Sequence, residues 1–287
     1  MTALQQIAAL LRYYEALGVD AAVADSAVDL TALEPVRRAA GAPQAQPGTG
    51  PGPEADRRAA PPARAEAPPP ARRPPAAPAL IDSDAATADA RALAAAAGSL
   101  GELENAVRAF DGCPLKATAT NTVFSDGSRD AELMIVGEAP GAEEDRQGLP
   151  FVGPAGQLLD LMLAAIGRDR TSTYIANILF WRPPGNRPPS SNEIAVCLPF
   201  VERHIALKHP KVLVLAGNTS AKALLGTSEG ITKLRGRWMD LSVPGLPAPV
   251  PTVAIYHPSY LLRTPAMKRQ AWRDLIAISK RLVPPGG

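Results

Sequence analysis

Short apolar runs alternate with amphipathic stretches through the second half of the chain. Apolar runs predict strands at residues 132–136, 174–180, 212–216 and 252–256, with an additional polar-flanked edge at 237–242. A helical spacing of apolar residues predicts helices at 155–166, 192–208, 219–225 and 267–282. Strands that alternate with helices are typical of a parallel sheet covered on both faces. The pattern therefore predicts an α/β fold, with three α/β/α layers around a central, mostly parallel four-stranded sheet.

A separate amphipathic pattern marks the beginning of the chain. Apolar side chains recur on one side of a helix over residues 3–18, and residues 20–33 add a short second helical stretch. Residues 1–33 are too few to bury a core of their own. Two interpretations stay open: this segment docks onto a protein partner or onto the main domain, or it is a marginal helix that frays.

Residues 34–86 differ sharply in composition from the rest. Pro, Ala, Gly and Arg dominate, so no hydrophobic face can form. We interpret this stretch as a disordered linker whose arginines are either solvated or in contact with DNA phosphates. Order is expected to resume in two helices that end near residue 110, the second beginning at a capping box of Ser99 and Glu102. The globular domain is therefore predicted to span 87–287.

Charge and cysteine content narrow the class of protein. The formal net charge is only +2, so any surface for nucleic acid must be local. No apolar run approaches the length that spans a bilayer, which predicts no membrane association. The first residues lack a basic stretch and a small-residue cleavage site, and the two cysteines are far apart. These features indicate a cytoplasmic protein with reduced thiols.

The stretch that follows the first predicted strand carries the densest candidate chemistry. Gly137, Pro140 and Gly141 predict a tight turn in which the backbone can approach a ligand closely. Glu138 and Glu144, with other carboxylates, crowd the same turn. Open α/β sheets bind ligands at the carboxyl ends of their strands. The alternative is an ordinary strand-to-helix loop with a solvated acidic face.

Three further segments follow predicted strands, at 177–187, 217–219 and 257–263. Three histidines occur, and two of them, His204 and His209, fall on or beside a predicted surface helix. His257 instead stands at a strand end beside a proline and a serine, where site chemistry is expected.

Together these segments resemble the family 4 uracil-DNA glycosylases. The motifs GEAPG, GLPFVGPAGQLLD, NILFWRPPGNRPP, ITKLRGRW and HPSYLLR occur in the family's order, over roughly residues 110–282. The resemblance implies a monofunctional, monomeric enzyme that flips deoxyuridine out of single- or double-stranded DNA. It would hydrolyse the N-glycosidic bond, release uracil and leave an abasic site for base-excision repair.

The resemblance also implies roles in binding the base. Phe151 would stack on uracil, and Asn177 would read its polar edge with its amide. Glu144 would exclude the methyl group of thymine. The turn itself would meet the base through Gly137, Ala139, Pro140 and Gly141, whose backbone amides would help to stabilise negative charge.

The reacting bond and the DNA are assigned on the same basis. His257 would donate a hydrogen bond to uracil O2, while Glu138 and Asn186 would hold the attacking water and support a positively charged sugar. DNA contacts would come from an intercalating loop and a basic segment, through Ser259, Tyr260, Leu262, Arg263 and Arg235.

The chain departs from the family at its metal site. Family members usually hold a [4Fe–4S] cluster on four cysteines, of which only Cys113 and Cys197 are present, while Phe110 and Trp181 occupy the other two positions. The sequence therefore predicts no cofactor and no metal, with the two aromatic rings in the volume of the cluster. Two alternatives follow: a non-catalytic DNA-binding module of repair or replication, or a glycosylase for another deaminated base, hypoxanthine or xanthine.

Overall fold

The computed structural model describes residues 83–282. The predicted segment 1–33 and nearly all of the predicted linker 34–86 lie outside the described residues. Helix α1 (Ser83–Ala96) begins within the last residues of the predicted linker, four residues before the predicted domain boundary at 87. Its buried face consists of alanines spaced four apart, which lets the helix pack closely.

A six-stranded sheet forms the centre of the domain: it contains the four predicted strands, the additional edge predicted at 237–242 and one short strand that was not predicted. In chain order the strands are β1 (Asp126–Gly127), β2 (Leu133–Gly137), β3 (Thr173–Asn177), β4 (Val212–Ala216), β5 (Trp238–Leu241) and β6 (Val250–Ile255). Their order across the sheet is β1-β3-β2-β4-β6-β5. The four predicted strands are the parallel centre, and β1 and β5 pair antiparallel at the two edges.

Helices cover both faces of the sheet, as predicted. The remaining helices are α2 (Leu100–Ala109), α3 (Ala142–Gln147), α4 (Pro154–Ala165), α5 (Ser191–Lys208), α6 (Asn218–Leu225), α7 (Ile231–Leu234), α8 (Pro258–Arg263) and α9 (Lys268–Leu282). Short 3₁₀ turns stand at Pro114–Ala117, Pro184–Asn186 and Pro265–Met267. Within residues 83–282, no helix has the length and hydropathy that crossing a bilayer requires.

Alternation along the central strands divides the core into two layers. In β2, Met134 and Val136 face the layer that contains α1, α2, α5 and α6. Leu133 and Ile135 face the opposite layer, which contains α4, α8 and α9. All five residues of β2, β3 and β4 are buried, which explains why these strands appear in the sequence as continuous apolar runs.

Helix starts follow local capping chemistry. Ser190 and Glu193 form the reciprocal capping box that begins α5. At α2 the predicted box is half formed: the Ser99 hydroxyl accepts from the Glu102 amide at 3.2 Å, but the Glu102 carboxylate accepts from Gly98 N at 2.7 Å rather than from Ser99. The prediction was right about the cap and wrong about its second donor.

Candidate active site

The carboxyl ends of the parallel strands open into a cavity of about 570 Å³. The parallel pairing places Gly137 and Asn177 side by side at the ends of β2 and β3. Most of the residues that the sequence predicted for the site line this cavity: Glu138, Ala139, Pro140, Gly141, Glu144, Phe151, Asn177, Asn186, His257, Ser259, Tyr260 and Arg263. Segments that are up to 125 positions apart in the chain therefore meet at one edge of the sheet, as the strand order requires.

Two predicted residues stand just outside the lining. A side chain at Gly137 would place its first carbon 2.4 Å from Asn177 Oδ1 and 2.5 Å from Phe151 Cζ, so only glycine leaves room for both groups. Leu262 lies on α8 with 44% of its surface exposed, as one of three large apolar side chains exposed in the described part of the chain.

Arg235 is held within the protein by part of its guanidinium. Nε and Nη2 donate to the carboxylate of Asp274, Nη2 also donates to Gln270 O at 2.8 Å, and the group lies over the Tyr256 ring. Both charged partners are largely buried. These hydrogen bonds do not involve Nη1, so the contact of Arg235 with DNA stays a prediction.

Phe151 forms an apolar wall of the cavity. The ring is 4% exposed and lies nearly parallel to the His257 ring, with 5.4 Å between centroids. Its backbone has φ of 56°, a left-handed conformation that costs energy for a residue with a Cβ. Helix α4 approaches so closely that a side chain at Gly156 would overlap Phe151 O.

The Glu144 carboxylate is fully engaged by backbone amides. One oxygen accepts from Gly141 N at 3.0 Å, and the other accepts from Val152 N at 3.0 Å and Gly153 N at 2.9 Å. This residue, at the start of α3, therefore connects the turn after β2 to the segment that carries Phe151.

Asn177 ends β3 and is 2% exposed. Within the described residues, its side-chain oxygen has no hydrogen-bond donor. A buried carbonyl oxygen without a donor is costly, because its bonds to water are lost and not replaced. Because Asn177 lines the cavity, this oxygen is the candidate acceptor for a polar ligand.

His257 caps the N-terminus of α8 and is fixed in one tautomer by that cap. Nδ1 accepts from Ser259 N at 3.1 Å and lies 2.8 Å from Ser259 Oγ. Removal from water, reinforced by the charge of Arg263, lowers the pKa of His257 from 6.5 to about 4. The ring is therefore neutral at pH 7, and because Nδ1 accepts, the proton is carried by Nε2.

The two other predicted catalytic residues each contact a neighbour that the sequence did not predict for this role. Thr219 Oγ1 donates to Glu138 Oε2 at 2.5 Å, from the first turn of α6. Arg182 Nε donates to Asn186 Oδ1 at 2.7 Å. Thr219 follows a strand end and so lay in a predicted site segment, whereas nothing in the sequence pairs Arg182 with Asn186.

The residues at the family's cluster positions do not fit a [4Fe–4S] group. Phe110 packs edge-on against Phe200 with 5.1 Å between centroids, and Trp181 is 1% exposed with Nε1 donating to Thr122 Oγ1 at 3.1 Å. The two thiols are buried and hydrogen-bond each other, which, with desolvation, raises the pKa of Cys197. Among residues 83–282, no three side chains of His, Cys, Asp or Glu are grouped to hold a metal ion. A cluster needs four thiolates where this site has two thiols and two rings.

Comparison with known proteins supports the assignment that the motifs suggested. The model of the uracil DNA glycosylase superfamily matches residues 124–276. A type-4 uracil-DNA glycosylase of Pyrobaculum aerophilum is 37% identical over 180 residues, which cover 61% of this chain and 91% of that protein. The type-4 enzyme of Thermotoga maritima is 41% identical over 158 residues, covering 55% and 80%. That of Archaeoglobus fulgidus is 35% identical over 186 residues, covering 63% and 92%. The chain belongs to the uracil-DNA glycosylase superfamily.

Proposed function

We propose that this DNA glycosylase acts on deoxyuridine in DNA, releases uracil and leaves an abasic site for base-excision repair. The observation that carries the proposal is that Asn177 and Phe151 line the same cavity and that the buried Asn177 oxygen has no donor among the described residues. Uracil brings a flat ring to stack on Phe151 and an N3–H to donate to that oxygen. The names of the relatives support the same substrate.

Selectivity follows from the direction of these hydrogen bonds. With its oxygen facing N3–H, the Asn177 amide presents its NH₂ to uracil O4. Cytosine has no proton on N3 and an amino group in place of O4, so both contacts fail. Mismatched polar groups in a buried site reject an analogue far better than an apolar wall does. Hypoxanthine and xanthine, as purines, would need a differently oriented pocket. Glu144 stands at the cavity wall, where its rigid carboxylate excludes the thymine methyl group.

Bond cleavage uses charge stabilisation rather than an acid. As the bond between C1′ of the sugar and N1 of the base breaks, its electron pair moves onto the base and collects at O2. The neutral His257 ring donates from Nε2–H to that oxygen, supported by amides of the turn after β2. Since the pKa of His257 is lowered to about 4, the ring does not need to lose or gain a proton at pH 7.

Water completes the reaction at C1′. Glu138, oriented by Thr219, and Asn186, held by Arg182, bind the water on the sugar side of the base. The carboxylate also stabilises the positive charge on the sugar. The water adds hydroxide to C1′ and its remaining proton leaves toward the released base. Among the described residues, the cavity lining contains no lysine for a Schiff base, which supports a monofunctional enzyme that does not cut the strand.

Helix α8 is the proposed DNA-inserting element. Leu262 is an exposed apolar wedge that fills the gap left by the flipped base, and Ser259, Tyr260 and Arg263 contact the flanking backbone. We further propose that the protein acts as a monomer in the cytoplasm and that residues 1–33 bind a protein partner.

We also propose that the enzyme works without an iron–sulfur cluster. The packing of Phe110 and Trp181 replaces the support that a cluster would give. Iron analysis of protein produced in iron-rich medium tests this, with Phe110→Cys/Trp181→Cys as a variant that restores four cysteines. Iron in the wild type at about one cluster per chain would refute this part of the proposal.

The activity test uses an oligonucleotide with a single uracil, and matched strands with cytosine, thymine or hypoxanthine at that position. Alkali-revealed cleavage of the uracil strand by wild type, strongly slowed but still measurable in Phe151→Ala, is the expected result. Retained DNA binding without release of any base would instead support a non-catalytic DNA-binding module. Preferred release of hypoxanthine would overturn the substrate assignment.

A further inference from the structure

Two charged side chains bind the backbone of the segment that carries Phe151, one through its amides and the other through its carbonyl oxygens. Glu144 accepts from the amides of Val152 and Gly153. Arg170 donates to the carbonyl oxygens of Pro150, at 3.2 Å, and Phe151. Arg170 lies in the loop between α4 and β3 and was not among the residues that the sequence singled out.

The Arg170 guanidinium uses all five of its N–H groups. Besides the two carbonyls, Nε donates to Asp160 Oδ1 at 2.9 Å, Nη2 donates to Asp160 Oδ2 at 3.4 Å, and Nη1 donates to Asp126 Oδ2 at 2.5 Å. The side chain is 25% exposed. The carboxylates of Asp160 and Asp126 thus fix the planar guanidinium, and the guanidinium in turn holds the carbonyl groups of residues 150 and 151.

This arrangement explains how Phe151 keeps an unfavourable backbone conformation. A non-glycine residue with φ of 56° persists only where its surroundings over-determine it. Here the carbonyl oxygens of residues 150 and 151 are held from one side, and the amides of residues 152 and 153 from the other. The direction of the Phe151 ring depends on this backbone.

We propose that Arg170 is a positioning residue that orients Phe151 for stacking on the flipped base. The inference rests on the proposed function, since it concerns the wall against which uracil would stack. Arg170 does not line the cavity and acts only through Phe151. Glu144 holds the same segment from the opposite side.

The first test is Arg170→Lys, which keeps the charge but offers at most three N–H groups from a single point. Misplacement of a contact by about 1 Å can cost about 10²-fold in rate, so we expect kcat for uracil release to fall by about that factor. KM for DNA should stay within about threefold, because Arg170 makes no proposed DNA contact. Arg168→Lys, two positions away, makes the same chemical change outside the cavity lining and should behave as wild type.

A double-mutant cycle with Phe151→Ala separates positioning from general stability. If Arg170 acts through the Phe151 ring, Arg170→Lys in the Phe151→Ala background should lower the residual rate by no more than about twofold. An equal loss in both backgrounds would overturn the proposal.

Asp160→Asn, at a half-exposed carboxylate, is a milder second variant, and we expect a loss of about tenfold in the rate of uracil release. An unchanged rate in both Arg170→Lys and Asp160→Asn would also overturn it.

Amide hydrogen exchange gives a readout that does not require activity. The amides of Val152 and Gly153 should exchange at least about tenfold faster in Arg170→Lys than in wild type, while amides of β4 keep their rates. Unchanged exchange at residues 152 and 153 would refute the proposal that Arg170 holds this segment. If the wild type releases no uracil but exchange at these residues is still faster in Arg170→Lys, the proposed function is refuted and the role of Arg170 in holding the segment stands.

Discussion

Among residues 83–282, Asn177 leaves a buried oxygen without a donor, as do two other buried polar atoms, but only Asn177 lines the cavity, where a ligand can supply the missing partner. The neighbouring groups are each satisfied within the protein: Glu138 by Thr219, His257 Nδ1 by Ser259, and Glu144 by backbone amides. The cavity is therefore fixed in advance around one unsatisfied acceptor. This arrangement makes Asn177 the residue at which base selectivity is best tested.

Asn177→Asp should weaken discrimination against cytosine. A carboxyl group at this position, when it holds a proton, can bond N3 of cytosine and accept from its exocyclic amine, whereas the amide cannot. We expect uracil release to fall by about 10²-fold and the ratio of uracil to cytosine release to fall with it. Single-turnover release from matched oligonucleotides measures both rates.

The control for this substitution is Asn105→Asp on the exposed side of α2, which makes the same chemical change away from the cavity. It should leave both rates as in wild type. If the ratio of uracil to cytosine release were unchanged in Asn177→Asp, Asn177 would not be the residue that distinguishes the two bases.

The central strands could be predicted because each is buried on both faces, which leaves an unbroken apolar run. Strand β1 has only two residues, Asp126 and Gly127, and no run of that length carries a signal. Helix α3 was missed because its first turn, with three acidic residues, has the composition of a solvated loop. The acidic residues in fact suit the helix start, where they interact well with the helix dipole.

Helix α8 was predicted as a loop, although its sequence carries a start signal. Pro258 occupies the first turn and His257 caps it, an arrangement that local rules allow. The ion pairs between distant segments carry no such local signal. Arg235 meets Asp274 39 positions later, and Arg170 meets Asp126 44 positions earlier. Only the folded chain shows which charges pair and which are left for DNA.

Leu262→Ala on α8 should affect duplex DNA more than single strands. The side chain is 44% exposed, so its loss leaves the stability of the fold nearly unchanged. In a duplex the wedge fills the gap left by the flipped base, and without it flipping becomes less favourable. We expect uracil release from duplex DNA to fall by about tenfold, with less than about a threefold change on the single strand.

Leu93→Ala is the matched control, because Leu93 is also an exposed leucine, at 40%, on helix α1. It should change neither rate. Equal losses on both substrates in Leu262→Ala would show that Leu262 does not act as a wedge.

A buried histidine in the core should make the stability of the fold depend on pH. His204 is fully buried, stacked on Phe124 at 4.4 Å, with Nε2 2.8 Å from the Tyr174 hydroxyl. Burial lowers the pKa of His204 from 6.5 to about 3. Below pH 6.5 the unfolded chain therefore binds a proton at this ring that the folded chain does not bind. Stability must therefore fall as the pH falls through this window.

Between pH 7 and pH 5, this group should remove about 2 kcal/mol from the free energy of unfolding. Urea unfolding at both pH values measures the loss, and His204→Gln, which carries no titrating ring, should show a loss smaller by about that amount. The difference between the two proteins cancels the other titrating groups. An identical pH dependence would mean that His204 takes up its proton in the folded state.

Residues 83–282 form the cavity lining and both core layers described above. Deletion of residues 1–80 should therefore leave kcat/KM for uracil release from a short oligonucleotide within about threefold of the full chain. The cut must fall before α1, because this helix buries Ala86, Ala90 and Ala94, and Arg203 donates two hydrogen bonds to Ala97 O just beyond it. Deletion of residues 1–97 is the contrasting variant and should unfold more readily, since it exposes the face of α5 that α1 covers. If the shorter deletion folded normally but lost its activity, the first 80 residues would take part in the reaction, and their interpretation as a helical segment and a linker would be wrong.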